Sequence, residues 1–165
     1  MHPAAHLWAR QHIPEQPRVV VEVGGADWNG GVRSCFAWSG YRSVDRCPGP
    51  GVDVVADFVE WARSQPPASV DLVVCLEVLE HAEQWPELLA AAWLLLEPGG
   101  RMVGTCAGPG RSPHGATGAP HPAPGEWYAN VTPAALAAGL ADAGFVHYTV
   151  DSARSGLDVR WHATR

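Results

Sequence analysis

Several residues in this sequence have types and positions suited to holding a small polar molecule. A glycine-rich segment, residues 24–31, follows a run of β-branched residues, and glycine lets a ligand approach the backbone because it has no Cβ. Asp45 ends a second apolar run, where a carboxylate can accept hydrogen bonds from a ribose diol. Asp57 and Phe58 follow a third run, and this pair is suited to an adenine amino group and the face of a base.

A second set of polar residues closes the fourth apolar run and continues beyond it. Cys75-Leu76-Glu77 ends that run, and Glu80 and His81 follow directly. The imidazole of His81 is suited to general acid–base chemistry near neutral pH. His114 and His121 lie in a later segment rich in Gly and Pro, where either is a candidate to bind or deprotonate a substrate. The competing interpretations are a capping or exposed role for His81 and solvated loop histidines for the other two.

These residues follow predicted strands, and the strands alternate with helices along the chain. The predicted strands span residues 18–23, 41–45, 52–56, 70–75, 101–106, 145–150 and 157–162. The predicted helices span residues 32–38 (with Asn29 as N-cap), 58–64, 83–96 and 132–143. This alternation predicts an α/β fold: a Rossmann-like, doubly wound sheet of about seven strands, mostly parallel, with a C-terminal antiparallel pair.

A sheet of this kind binds ligands in the crevice beyond the carboxyl ends of its strands. The chemistry is therefore predicted just after residues 23, 45, 56, 75 and 106. Residues 46–51 are too few for a crossover helix, so one corner of the sheet is predicted to be minimal. Residues 107–125 are dominated by Gly, Pro, Ser and His and predict a long loop of functional importance. Trp127 and Tyr128 follow it as a predicted lid or substrate wall.

Composition excludes several classes of protein. The 165 residues are enough for one domain, and the net charge of -6 comes without any basic run that would follow a phosphate backbone. There is no signal-peptide pattern, and the longest apolar run is too short to span a membrane.

The four cysteines form no CxxC pair and predict reduced thiols in a cytoplasmic protein. A metal site built from the histidines with Glu126 lacks a compact ligand spacing, so no metal is predicted.

Five segments together carry a resemblance to a known family: VVVEVGG (19 to 25), SVD (43 to 45), VVADF (54 to 58), DLVVCLEVLEH (71 to 81) and LLLEPGGRMVGT (94 to 105). In these segments the chain resembles the class I S-adenosylmethionine-dependent methyltransferases, in the family's order. The last two segments are the most specific part. The resemblance implies one domain over residues 1–165, with an N-terminal helical extension at 1–17, a substrate-side loop at 107–131, and S-adenosyl-L-methionine as cofactor.

The resemblance also implies a role for each matching residue. Glu22 and Gly24 match the acidic residue and first glycine that hold the methionine part of the cofactor. Asp45 matches the ribose ligand, and Asp57 matches the acid that contacts adenine, with Phe58 beside it. The implied cofactor site consists of Glu22, Gly24, Gly25, Asp27, Asp45, Arg46, Asp57, Phe58, Cys75, Leu76 and Glu77.

The glycine turn departs from the family pattern. Ala26 and Trp28 stand where the family usually has its second and third glycines. We interpret the segment as a variant loop in which Asn29 and Gly30 make the turn into the following helix. The departure puts in doubt which residue holds the amino and carboxylate ends of the cofactor.

The predicted reaction needs little chemistry from the protein, because the sulfonium already makes the methyl group electrophilic. Alignment of the acceptor with the methyl group can contribute roughly 7 to 11 kcal/mol. A base is needed chiefly for a hydroxyl acceptor; His81 is the first choice, ahead of His114 and His121. Trp127 and Tyr128 are the predicted substrate-binding residues.

The end of the fourth strand bears on the acceptor. Cys75-Leu76-Glu77-Val78 has neither the Asn- or Asp-Pro-Pro-aromatic motif of amino-directed DNA methyltransferases nor a Pro-Cys pair. A small-molecule or glycan hydroxyl is therefore expected, in a protein that is a monomer or homodimer. Two alternatives stay open: a non-catalytic cofactor-binding partner subunit, and a methyltransferase for protein or nucleic acid. A nicotinamide-dependent oxidoreductase is disfavoured, because the turn lacks GxGxxG spacing and Asp27 would repel a pyrophosphate.

Overall fold

A computed structural model describes residues 3–28, 30–36 and 40–165 of the protein. This described part is built on a seven-stranded sheet with the strand order β3-β2-β1-β4-β5-β7-β6. The strands are β1 (Val19–Val23), β2 (Gly40–Asp45), β3 (Val54–Val55), β4 (Val70–Leu76), β5 (Leu96–Ala107), β6 (His147–Ala153) and β7 (Asp158–Thr164). Strands β1 to β5 run parallel, whereas β7 is antiparallel to both β5 and β6. The predicted mostly parallel sheet with an antiparallel pair at its C-terminal end is confirmed.

Helices cover both faces of the sheet, which explains the apolar central strands. The helices are α1 (Pro3–His12), α2 (Phe58–Arg63), α3 (Trp85–Leu95) and α4 (Pro133–Ala143). In β4, Val73 and Cys75 face the core shared with α2, α3 and α4, while Leu72 and Val74 face the core on the α1 side. Successive side chains of a strand point to opposite faces, so a central strand must be apolar at nearly every position.

Capping residues mark the boundaries of two of the predicted helices. Asp57 caps α2 by accepting hydrogen bonds from the backbone N–H groups of Val59 and Glu60. Thr132 caps α4 in the same way, and Gly144 ends α4 with a φ of 105°, a left-handed conformation that favours glycine. Capping is local chemistry, so these boundaries follow from the sequence.

The boundaries between α3 and β5 differ from the prediction. The helix predicted over residues 83–96 begins only at Trp85, because Ala82 leaves the preceding 3₁₀ turn (Leu79–His81) in an extended conformation. The fifth strand, predicted over 101–106, begins at Leu96. Its early residues pair with the C-terminus: Gly99 N–H donates to the Arg165 carbonyl at 3.0 Å. The helix therefore ends at Leu95, before the Pro-Gly-Gly segment, and that segment belongs to the strand.

The segment after β1 is less helical than predicted. The helix expected over residues 32–38 is a 3₁₀ turn at Arg33–Phe36, and its predicted cap, Asn29, lies outside the described residues. The third strand, expected over 52–56, is reduced to β3. Asp53 lies just before β3: its N–H donates to the Ser43 carbonyl at 3.1 Å, and its carboxylate accepts from the Ser43 N–H at 2.8 Å and forms an ion pair with Arg33. As predicted, residues 46–51 contain no helix.

Residues 108–132 form a long loop without helix or strand, as predicted. It is fixed to the sheet at several points: Val131 N–H donates to the Ala107 carbonyl at 2.9 Å, and the Asn130 side chain donates to the carbonyls of Gly108 and Arg111. None of the described helices is long and apolar enough to cross a membrane.

Candidate active site

A cleft of about 730 Å³ opens at the carboxyl ends of β1 to β4. This is the edge at which ligands of parallel α/β sheets bind, and the volume lies within the roughly 300–1,000 Å³ typical of small-molecule sites. Eight residues that the sequence assigned to the site or its chemistry line the cleft: Gly24, Asp45, Arg46, Asp57, Phe58, Glu77, His81 and Trp127. Residues of the long loop, Ala116 and Gly125 to Trp127, form its far wall.

The glycine turn brings backbone against the floor of this cleft. Gly24 has a φ of 67°, and a Cβ added there would lie 2.4 Å from Cγ2 of Val78. A Cβ on Gly25 would lie 2.2 Å from the Ser43 hydroxyl oxygen. Both positions therefore require glycine. Asp27, predicted to contact the cofactor, is instead exposed in the next part of the turn and lies outside the cleft lining.

Glu22 lies beneath the turn and not on the surface of the cleft. Its side chain is buried, and Tyr41 donates a hydrogen bond from its hydroxyl to Oε2. Burial raises the pKa of Glu22 to about 7, although the positive charge of Arg33 partly offsets the rise. Glu22 thus supports the turn from below, and direct contact with a cofactor stays a prediction.

Asp45 lies at the end of β2 with its carboxylate oriented by the backbone. Oδ2 accepts from the Ala26 N–H at 3.2 Å, and Oδ1 accepts from the Cys47 N–H at 2.9 Å. Each carboxylate oxygen keeps a further lone-pair direction, so the group can still accept from a ligand. Its assignment to a ribose stays a prediction with a suitable geometry.

Asp57 combines a structural role, as the N-cap of α2, with a place on the cleft wall. Oδ1 caps α2, while Oδ2 pairs with the Arg46 guanidinium at 2.9 Å. Burial alone would raise the pKa of Asp57, but Arg46 and the capping N–H groups lower it overall. Phe58 is buried in the core cluster and also lines the cleft, so its contact with a base stays a prediction.

The end of β4 contributes one side chain of the three predicted. Cys75 and Leu76 are buried and do not line the cleft, and burial raises the pKa of the Cys75 thiol well above its usual range. Glu77 faces the cleft from a backbone with a φ of 59°. Its carboxylate accepts from the Thr105 hydroxyl at 2.8 Å and pairs with Arg111 of the long loop.

Beyond Glu77, three rings meet around His81, which lines the cleft. The rings of His81, His114 and Tyr128 are in mutual edge-to-face contact, with centroids 5.0 to 5.3 Å apart. Burial, together with the neighbouring His114, lowers the pKa of His81 to about 4, so its imidazole is neutral at physiological pH. Burial raises the pKa of Tyr128 to about 12. His121, the third predicted histidine, is exposed and lies outside the cleft lining.

Glu80 adjoins this ring cluster and was not predicted as a site residue. Its side chain is fully buried, and neither carboxylate oxygen makes a hydrogen bond to a described residue. Burial raises the pKa of Glu80 to about 8, helped by the charge of Glu77 and opposed by the backbone N–H groups that face it. A buried carboxylate is normally paired or bound to a metal ion, so Glu80 is the exceptional group of this site.

Arg111 ties the long loop to the sheet and was also missed. Its guanidinium pairs with Glu77 at the end of β4 and, at 2.8 Å, with the buried Asp158 of β7. Glu77 is 34 positions from Arg111 in the sequence and Asp158 is 47 positions from it, so no local pattern reveals these contacts. For Glu80 the signal was present: it directly precedes a predicted site histidine in the sequence.

Comparison with known proteins shows what this arrangement resembles. A family model described as a methyltransferase domain matches residues 5–150. No curated protein sequence matches the chain. A solved structure of an S-adenosylmethionine-dependent methyltransferase from Archaeoglobus fulgidus is similar, with 17% identity, a TM-score of 0.73, and coverage of 97% of this chain and 92% of that chain.

Two further structures have the same fold. An S-adenosylmethionine-dependent methyltransferase from Mesorhizobium loti is 19% identical, with a TM-score of 0.68 and coverage of 98% of both chains. The Burkholderia thailandensis 1,6-didemethyltoxoflavin-N1-methyltransferase, solved with 1,6-didemethyltoxoflavin and S-adenosylhomocysteine, is 19% identical, with a TM-score of 0.68 and coverage of 99% of this chain and 77% of that chain. At these identities the likeness is one of fold.

Proposed function

The chain belongs to the class I S-adenosylmethionine-dependent methyltransferases, and we propose that it methylates a hydroxyl oxygen of a small-molecule or glycan acceptor. We call the part of the cleft beside Gly24 and Asp45 the cofactor end, and the part beside Glu77 and His81 the acceptor end. The cofactor end fits the cofactor, because Gly24 has no Cβ at the floor of the cleft and Asp45 presents an oriented carboxylate at the end of β2. When bound, S-adenosylmethionine supplies an electrophilic methyl group. The chain's own residues position the acceptor and exclude water.

The observation that carries the choice of acceptor is the loop-walled, acidic cleft. The long loop closes the far side, so the space suits a small molecule better than an extended polymer. Among the described residues that line it, the six carboxylates outnumber the two guanidinium groups, those of Arg46 and Arg63. The carboxylates belong to Asp45, Asp57, Glu60, Glu77, Glu87 and Glu126. Such a lining repels phosphate, which disfavours nucleic acid.

The hydroxyl part of the proposal rests on groups able to take or weaken a proton. His81 lines the cleft and is neutral at physiological pH, as a base must be. Its pKa of about 4 makes it a weak base, so help from a neighbouring group is expected. One structural neighbour is an N1-methyltransferase by its name, and a nitrogen acceptor is the outcome that most directly competes with a hydroxyl.

Transfer of labelled methyl groups tests the proposal. The protein is incubated with methyl-labelled S-adenosylmethionine and cell extract, which is then split into small-molecule and macromolecular fractions. We expect label in the small-molecule fraction, in an ether linkage, and about a hundredfold less with His81→Ala while cofactor binding is retained. Label confined to macromolecules, or carried on nitrogen, would contradict the acceptor. No label with a cofactor-binding protein would favour the non-catalytic partner subunit.

The setting of the protein is part of the same proposal. Cys75 and Cys106 are buried free thiols, which fit a reducing compartment such as the cytoplasm. We further propose that it acts as a monomer or homodimer and without nucleic acid or a membrane.

A further inference from the structure

The 3₁₀ turn after β4 and the long loop bring three metal-ligating side chains together. Glu80, His81 and His114 each offer one ligand atom, and these atoms lie within 4.8 Å of one another. Glu80 and His81 are neighbours in sequence, but His114 comes from the loop more than thirty positions away. The convergence is therefore a property of the fold and is not visible in the spacing of the residues.

Two of these residues have buried polar atoms that lack a hydrogen-bond partner. Both carboxylate oxygens of Glu80 and Nδ1 of His81 make no hydrogen bond within the described part of the chain. Burying a polar atom without a partner destabilises the fold, and the cost is larger for a charged group. The Glu80 side chain has no exposed surface at all, so relief through bulk solvent is not open to it. A bound cation would satisfy both groups at once.

The third ligand is held in an orientation that suits coordination. Nδ1 of His114 lies 3.2 Å from the carbonyl oxygen of Ser112, and a proton on Nδ1 leaves the lone pair on Nε2. Metal-binding histidines usually donate their second ring N–H to such a group, which fixes the ring. The Tyr128 ring supports both imidazoles from one side, and Ala129 N–H donates to the Glu80 carbonyl at 2.8 Å.

The other acids nearby, Glu126 and Glu77, are held by protein partners, and Glu126 accepts hydrogen bonds from the N–H groups of Ala116 and Ala123. Glu77 is paired with Arg111 and accepts from Thr105, so it is occupied by protein partners. Glu80 is the acid of this corner whose carboxyl oxygens have no hydrogen-bond partner in the described part of the chain.

We propose that Glu80, His81 and His114 bind one divalent transition-metal ion of the Zn²⁺ type at the acceptor end of the cleft. Two imidazoles and one carboxylate form a ligand set that Zn²⁺ accepts at about 2.0–2.2 Å, leaving a further position open. His81 lines the cleft, so the open position is accessible to an acceptor.

The site deepens the proposed function and rests on it for its chemical purpose. A metal ion lowers the pKa of a bound hydroxyl, so the acceptor can lose its proton without a side-chain base, and His81 then serves as a ligand. The hydroxyl proton passes to water at the mouth of the cleft. The oxygen then forms its bond to the methyl carbon as the carbon–sulfur bond breaks, with that electron pair remaining on sulfur. The metal keeps its oxidation state throughout.

Cobalt binding tests the site without any knowledge of the acceptor. The full chain is stripped with a chelator, and Co²⁺, then Zn²⁺ in competition, is titrated while visible absorption is recorded. We expect one equivalent of Co²⁺ with the d–d bands of nitrogen and oxygen coordination, displaced by Zn²⁺. Glu80→Gln and His114→Ala should each weaken binding by more than about tenfold, whereas Glu83→Gln and His147→Ala, which alter exposed residues, should not.

Three results of the cobalt titration would overturn the proposal. The first is no binding by the folded wild-type chain, and the second is binding that is unchanged in both Glu80→Gln and His114→Ala. The third is a sulfur-to-cobalt charge-transfer band, which assigns the ion to an exposed thiol such as Cys47. If Glu80→Gln fails to fold, His114→Ala in the loop decides alone. Titration of the metal-free chain with S-adenosylhomocysteine keeps the two ideas apart: cofactor binding without metal binding rejects this site only, and metal binding without cofactor binding rejects the proposed function.

Discussion

The two ends of the cleft are built on opposite principles. At the cofactor end, the carboxylates of Asp45 and Asp57 are partly exposed and are already held by nearby backbone N–H groups or by Arg46. At the acceptor end, Glu80 is buried and unpartnered, and Glu77 depends on an arginine from a distant loop.

The difference teaches where specificity can reside in this molecule. The cofactor end is assembled from strand ends and caps, which form wherever the sheet forms. The acceptor end exists only when residues 108–132 lie against the sheet, because that loop supplies His114, Tyr128 and Arg111. A change of loop sequence can therefore alter the acceptor without disturbing the cofactor end.

The largest expected effect is on the contact that fixes the loop. Arg111→Met leaves the mostly buried Glu77 and Asp158 without their main partner, and breaking a buried ion pair costs about 3–5 kcal/mol. Urea unfolding should show a loss of that order. Arg154→Met, which removes a more exposed and longer contact with the same Asp158, should cost less than about 1 kcal/mol. Equal losses in the two variants would mean that the loop is not held through Arg111.

A somewhat smaller effect is expected from Glu22 beneath the glycine turn, and it depends on pH. The pKa of Glu22 is raised to about 7 in the folded state, so the native protein binds a proton that the unfolded chain has released. Stability is therefore fully retained below about pH 4.5 and falls as pH rises towards 7, by up to about 3 kcal/mol. Tyr41, Arg33, Asp27 and Asp45 are the groups acting on this carboxyl.

Glu22→Gln tests this pH dependence. Urea unfolding across pH 5 to 8 should show a smaller decline in the variant than in the wild type, because the part that remains comes from Glu80, whose pKa is also raised. Glu83→Gln, at an exposed position, should retain the full decline. A parallel pH profile for wild type and Glu22→Gln is the result that contradicts the assignment.

The smallest effect is expected at the cofactor end. Arg46 is 59% exposed in its ion pair with Asp57, and exposed pairs contribute about 0–1 kcal/mol. Arg46→Met should lower the free energy of unfolding by no more than that, because Asp57 keeps its capping hydrogen bonds to α2. A loss near that of Arg111→Met would erase the contrast between the two ends.

The same contrast explains how much the sequence revealed. The order of strands and helices, the caps at Asp57 and Thr132, and the carboxylate at the end of β2 follow from local patterns. The boundaries of β5 depend on pairing with Arg165 at the far end of the chain, and no local pattern contains that information. The cluster of Glu80, His81 and His114 was not predicted for the same reason. The prediction of no metal considered only the spacing of candidate ligands along the sequence.

The most direct test of the account is calorimetric titration with S-adenosylmethionine and S-adenosylhomocysteine, with NADH as control. Both should bind with micromolar affinity, and NADH should not bind. Asp45→Ala should weaken binding at least about tenfold, since hydrogen bonds to a charged group contribute about 1.5–3 kcal/mol. The control variant Asp142→Ala, at an exposed position on α4, should bind as the wild type does. Failure of the folded protein to bind either compound, or equal affinity in Asp45→Ala, would contradict the assignment of this cleft to the cofactor.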